Sequence, residues 1–145
     1  MRILLQRVKQ ADVQVEGVSI GKIGKGLLVF LGIHKEDTIL LLDSLISKMT
    51  HLRIFSDKEG KMNRSLLDVQ GDILVVSQFT LYGDCNQGRR PAFSLAADPV
   101  FAKNLYEEFI LRLKAYPLKV ESGLFGAHME VSLVNEGPVT FLLEK

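Results

Sequence analysis

The sequence predicts an α+β fold: a compact antiparallel, barrel-like β-sheet in a single domain, with two main helices packed on the sheet. Three observations predict it. Roughly eight short runs are rich in branched and apolar residues, and glycine-bearing or charged turns join most of them. Helical spacing occurs in only two stretches. Most connections between strands are too short for the crossovers of a doubly wound parallel sheet.

Along the chain, Arg2–Lys9, Asp12–Glu16, Val18–Ile23 and Leu27–Ile33 read as strands, with "EGVS" and "GKGL" as turns. Asp37–Leu52 sets Leu41, Leu45, Met49 and Leu52 at helical spacing, and Leu42 and Ile46 widen that face. Asp37 is the expected N-cap. Arg53–Phe55 returns to strand, "SDKEGK" turns, and Asp72–Phe79 reads as a buried strand. Asp98–Pro99 opens a second helix with a capping acid and a proline in the first turn. This helix presents Leu105, Phe109 and Leu113 on one face and ends before Pro117. Leu118–Glu121, Met129–Val134 and Val139–Leu143 read as the last strands. No repeat or linker divides the chain, so residues 1–145 are expected to form one domain.

The 145 residues suffice to bury a core without disulfides or metals. Charged residues make up 24% and the formal net charge is +1, so a nucleic-acid partner would be held by local patches rather than a global field. Cys85 is the sole cysteine, which excludes a disulfide framework and favours a reducing compartment. The first residues lack the cleavage pattern of a signal peptide, and no apolar run is long enough to span a bilayer. A cytoplasmic protein with no membrane partner is the expectation.

Several chemistries lack their signatures. There is no G-x-S-x-G elbow and no H-E-x-x-H helix. His34, His51 and His128 have no carboxylate or cysteine at ligand spacing, so neither metal nor cofactor is expected. "GKIGKG" matches no phosphate-binding fingerprint and reads as a strand turn. Cys85 has no histidine or helix start beside it to form a thiolate.

Three segments stand out. In "VVSQFTLYGD" an apolar strand runs into Ser77, Gln78, Phe79 and Thr80, where a strand leaves the core. That is a common place for functional residues, and equally for ordinary strand-end capping. In "NQGRRPAF", Arg89 and Arg90 can hold phosphates or simply solvate a loop. In "VSLVNEGPVTFLLE", Gly137 and Pro138 interrupt a strand pattern, either as a hairpin turn or as a backbone device with a cis Gly–Pro bond.

Together these stretches resemble the D-aminoacyl-tRNA deacylase family. The resemblance runs through "QRVKQADVQVEG", "IGKGLLVFLGI", "LRIFSDKEGKMNRSLLDV", "LVVSQFTLYGD", "GRRPAF" and "FGAHMEVSLVNEGPVTFLLE", in order over essentially the whole chain. It implies an ester hydrolase that frees tRNA from a D-amino acid. It also implies a barrel-like homodimer with active sites at the interface. Ser77, Gln78, Phe79 and Thr80 would line the catalytic pocket, with backbone N–H groups facing the carbonyl. Gly137 and Pro138 would form a cis gate reaching into the partner's pocket, supported by Val139 and Thr140. Phe125, Gly126, Ala127 and Met129 would cradle the terminal adenosine, and Arg7 would anchor the gate or bind substrate. A steric gate that excludes the L hand should admit glycine, so glycyl-tRNA is expected as a substrate. Gly83 and Cys85 depart from the family pattern, past the reactive positions.

A rival reading is a non-catalytic nucleic-acid-binding module on the same fold, working through Lys58, Lys61, Arg64, Arg89 and Arg90. A third, a Cys85 thiol hydrolase, would be abolished by alkylation.

Overall fold

The computed structural model describes residues 1–86 and 88–145. Gln87, in the basic loop, lies outside the described residues. The spine of the sheet is β1 (Arg2–Val15). The sequence pattern divides this stretch into two strands, but the strand is continuous because both halves find partners. Its first half pairs antiparallel with β3 (Gly26–Gly32) and its second with β2 (Val18–Ile23). Along its other side it pairs with β8 (Glu130–Glu144). The β1–β2 turn places Glu16 and Gly17 at positive φ, the backbone that matches the twist of a tight hairpin.

The remaining strands of the main sheet run parallel: β3 with β6 (Asp72–Ser77), and β6 with β7 (Val120–Ser122). The antiparallel expectation thus holds for every pairing of β1 and gives way here. The cause lies in the connections, since both helical stretches serve as crossovers. Between β3 and β6 run α1 (Leu42–His51) and the single turn α2 (Leu66–Val69), while α3 (Pro99–Leu113) joins β6 to β7. A small antiparallel ribbon, β4 (Phe55–Ser56) and β5 (Met62–Arg64), flanks the "SDKEGK" turn.

The sheet curls until β2 nearly meets β7. Lys119 Nζ donates to Lys22 O at 2.8 Å, and a Cβ on Gly21 would lie 3.1 Å from Ser122 O. Val8, Ala11, Val13, Leu28, Leu74 and Val76 fill the interior of this barrel. On the outer face Leu45, Ile46 and Met49 of α1 and Leu105, Phe109 and Leu113 of α3 bury against Leu5, Val29 and Val75. Both helices therefore cover the same face, as the sequence predicts.

The helix starts differ. At α3, Asp98 accepts from the N–H groups of Val100 and Phe101 at 3.1 Å. At α1 the predicted cap fails: a 3-10 turn, Ile39–Leu41, precedes the helix, and Asp37 is buried elsewhere. Its carboxylate accepts from the Met1 amine at 2.6 Å and from the His34 N–H at 2.7 Å, which is a stronger use of a buried charge than an exposed cap.

At the chain's end the hairpin reading of Gly137–Pro138 is overturned. Both flanks continue along β1 in the same direction, with Thr140 opposite Gln6 and Asn135 opposite Val8. Residues 136–139 leave the ladder opposite Arg7 and form an excursion within one strand. Among the described residues, no helix is long and apolar enough to cross a membrane.

Candidate active site

A cavity of about 460 Å³ opens beyond the carboxyl ends of the parallel strands β3 and β6. Parallel strands commonly end at such crevices, because their connections diverge there. Ser77, at the end of β6, contributes to its wall with Gln78 and Phe79, which follow it. Phe125, Gly126, Ala127 and Met129 line the same cavity. The two segments predicted to hold the ester and the adenosine therefore share one wall-to-wall space, although they lie far apart in sequence.

His128 lines it too, and small residues at the start of α3, Ala97, Pro99 and Ala102, add to the lining with Leu31 and Ile33. The small residues carry no local sign of a site, since their contribution is the room they leave. Tyr106 is a second residue that the sequence does not announce. Its hydroxyl shares its one proton between Val75 O, at 2.9 Å, and Gly123 O, at 3.2 Å, and its ring packs 5.7 Å from Phe125. It ties the Gly123–Phe125 segment to β6. Burial pushes its phenol well above the ordinary range, so it remains a donor.

The stretch Ser77–Thr80, predicted to line the catalytic pocket, turns sharply. The N–H of Gln78 is committed to Leu31 O at 2.9 Å, continuing the β3–β6 ladder. Phe79 and Thr80 open a 3-10 turn, Phe79–Tyr82, whose first N–H groups have no acceptor inside the turn. Of the backbone donors expected to face a carbonyl, those of Phe79 and Thr80 are the ones left for it. Thr80 is exposed and outside the cavity lining, and its hydroxyl accepts from Gln78 Nε2. An amide in either orientation is too weak a base to activate a hydroxyl. Cys85 is exposed and is likewise absent from the lining among the described residues.

The second motif sits apart. Gly137 and Pro138 are exposed, joined by a cis peptide bond, and none of Gly137, Pro138, Val139, Thr140 or Arg7 lines the cavity of the same chain. The excursion is held from beneath. The Arg7 guanidinium is buried and donates to Glu136 O at 3.0 Å and to Ile54 O at 2.5 Å. Asn135 Oδ1 accepts from the Val139 N–H at 2.8 Å, while its Nδ2 donates to Thr140 Oγ1 at 3.1 Å. Gln6 Nε2 reaches the same hydroxyl at 3.2 Å. A Cβ on Gly137, at φ +136°, would stand 2.7 Å from Val139 Cγ2, so only glycine fits. Asn135 was legible to the extent that a short amide beside a Gly–Pro pair often bonds the local backbone.

The profile of the family described as D-Tyr-tRNA(Tyr) deacylase matches residues 4–144. The chain belongs to this family. A D-aminoacyl-tRNA deacylase of Thermosipho africanus is 60% identical over 144 residues, covering 99% of this chain and 97% of the relative. The D-aminoacyl-tRNA deacylase of Exiguobacterium sibiricum is 54% identical over 145 residues, the full length of both. Among solved structures, the c-Myc DNA unwinding element binding protein aligns at TM-score 0.94 and 42% identity, over 100% of this deacylase and 99% of that chain. A probable eukaryotic D-amino acid tRNA deacylase aligns at TM-score 0.85 and 22% identity, over 98% and 97%, and supports the fold alone. D-aminoacyl-tRNA deacylases are hydrolases acting on ester bonds and serve as proofreaders in translation.

Proposed function

We propose that this hydrolase of D-aminoacyl-tRNA esters sorts its substrates by hand, using Gly137 and Pro138 as a gate inserted into the cavity of a second copy. The observation that carries this reading is the position of the pair. It is exposed, braced from beneath by Arg7 and Asn135, and absent from the cavity of its own chain. A braced backbone projection that does nothing for its own chain is suited to a homodimer in which each copy completes the other's site. Val139 and Thr140 support the projection.

In this reading residues 1–145 form one deacylase domain acting where charged tRNA is found, in the cytoplasm. The terminal adenosine lies against Phe125, Gly126, Ala127 and Met129. The ester carbonyl points at the N–H groups of Phe79 and Thr80, with Ser77 and Gln78 shaping the wall. An aminoacyl ester is already reactive, so stabilising the developing oxyanion supplies most of what hydrolysis requires. Water attacks, assisted by the neighbouring ribose hydroxyl, because the Gln78 amide paired with Thr80 is too weak a base to activate its hydroxyl. Enzymes that clear many D-amino acids cannot read each side chain, and a steric gate avoids the need. Glycine has no side chain to exclude, so glycyl-tRNA should also be cleared.

The deciding experiment charges one tRNA separately with D-tyrosine and L-tyrosine. Release of the D ester with the L ester untouched supports hydrolysis and gate together. Equal release retains the hydrolase and sinks the gate.

A second reading has one observation in its favour: the 42% identical structure is named as a DNA-element binder. Lys58, Lys61, Arg64, Arg89 and Arg90 are all exposed and would serve a binding module. Binding of tRNA with no release of either ester would establish that reading instead.

A further inference from the structure

Two phenylalanine rings stand beside the cavity with much of their surface in water: Phe79 is 55% exposed and Phe93 38%. They meet edge to face, with centroids 4.9 Å apart. Phe79 lines the cavity; Phe93 does not, and stands at the far end of the basic loop. The loop is pinned there. Asp84 and Ala92 exchange backbone hydrogen bonds of 2.8 and 2.9 Å, and a Cβ on Gly83 would lie 3.1 Å from Phe93 Cε1. Glycine at position 83 thus lets the ring lie close against the backbone beside the catalytic turn. Arg89 and Arg90 are exposed on the same loop.

An aromatic pair left in water, contiguous with a cavity and carried in part on a loop with two exposed arginines, combines what proteins use to hold unpaired nucleotides: flat apolar faces for bases and cations for phosphates. The cavity takes the terminal adenosine in the reading above, and the next nucleotide of a single-stranded tRNA end must leave through its mouth. Resting on that reading, we infer that Phe79 and Phe93 form a stacking platform for the nucleotide preceding the terminal adenosine, with its phosphate facing Arg89 and Arg90. Phe93 would then be a specificity determinant separating tRNA from smaller esters.

The test compares D-tyrosyl-tRNA with the D-tyrosyl ester of adenosine, which lacks that nucleotide. Phe93→Ala is expected to lower kcat/KM on the tRNA roughly fivefold to a hundredfold more than on the adenosine ester, the range set by loss of one base–aromatic stack. Phe93→Trp should restore most of the difference, which a merely structural role for the phenylalanine would not allow. Equal losses on the two substrates would assign Phe93 to holding Phe79 and overturn the platform, as would no loss on either. Equal losses accompanied by dissociation in sedimentation would assign the rings to contact with a second copy, again overturning it. Wild-type protein inactive on both esters would instead sink the reading of the substrate.

Discussion

Thr80 carries a hydroxyl in the Phe79–Tyr82 turn, yet its close side-chain partner is the Gln78 amide. In the proposed mechanism that pairing gives it a positioning role rather than a nucleophile's. Thr80→Ala should therefore slow single-turnover hydrolysis of D-tyrosyl-tRNA by less than about a hundredfold, the lower edge of what a general acid–base group contributes. Complete loss with intact binding would argue for direct attack by Thr80. Asn135 is similarly specific. It spends both halves of its amide on Val139 and Thr140, so Asn135→Ala should release the Gly137–Pro138 projection. Losing two hydrogen bonds, at about 1 kcal/mol each, should relax discrimination against L-tyrosyl-tRNA by roughly tenfold or more. Asn135→Asp keeps the acceptor for the Val139 N–H and should retain part of the discrimination. Tyr106→Phe leaves Gly123 O without its buried donor at an expected cost of about 1–2 kcal/mol, read as a lower urea midpoint. The loosened Phe125 wall should raise KM more than it lowers kcat.

At the scale of elements, the single-turn α2 depends on its cap. Ser65 and Asp68 form a reciprocal box: the Asp68 carboxylate accepts from the Ser65 N–H and hydroxyl at 2.8 Å, and the Ser65 hydroxyl accepts from the Asp68 N–H at 3.2 Å. So short a helix has little else to define its start. Ser65→Ala should cost about 1 kcal/mol in urea denaturation at neutral pH. The Ser65 N–H holds the Asp68 carboxyl below its ordinary value of 3.8, followed by the Ser65 hydroxyl. A depressed folded value means the stabilisation is complete above 3.8 and is lost as pH falls through the folded value. Wild type should therefore be more stable than Asp68→Asn at neutral pH. The two should converge in strong acid, and a gap that persists there would count against the cap.

At the scale of the whole molecule, β8 pairs among the described residues with β1 alone and leaves Val134, Phe141 and Leu142 exposed near the Gly137–Pro138 excursion. Exposed apolar side chains along an outlying strand favour self-association. The protein should sediment as a dimer, and its specific activity on D-tyrosyl-tRNA should fall when dilution drives it to monomer. A monomer of undiminished activity and selectivity would remove the second copy from the mechanism.

The sequence by itself determined the elements and the chemistry-bearing stretches. Branched apolar runs made strands, Asp98 and Pro99 opened a helix, and "SQFT" and "NEGPVT" marked the two places where backbone leaves a ladder. Each of these is a local matter of propensity and capping, which neighbouring residues decide. Tertiary structure alone decided the parallel β3–β6–β7 trio, the continuous β8 and the buried use of Asp37. It also brought Ala97, Pro99 and Ala102 to the cavity, tied Tyr106 to the segment behind it, and set Gly137 and Pro138 outside it. Those outcomes depend on which distant segments fill the same space and which buried polar groups find each other. No spacing along the chain encodes that, because the partner in each contact lies on another element.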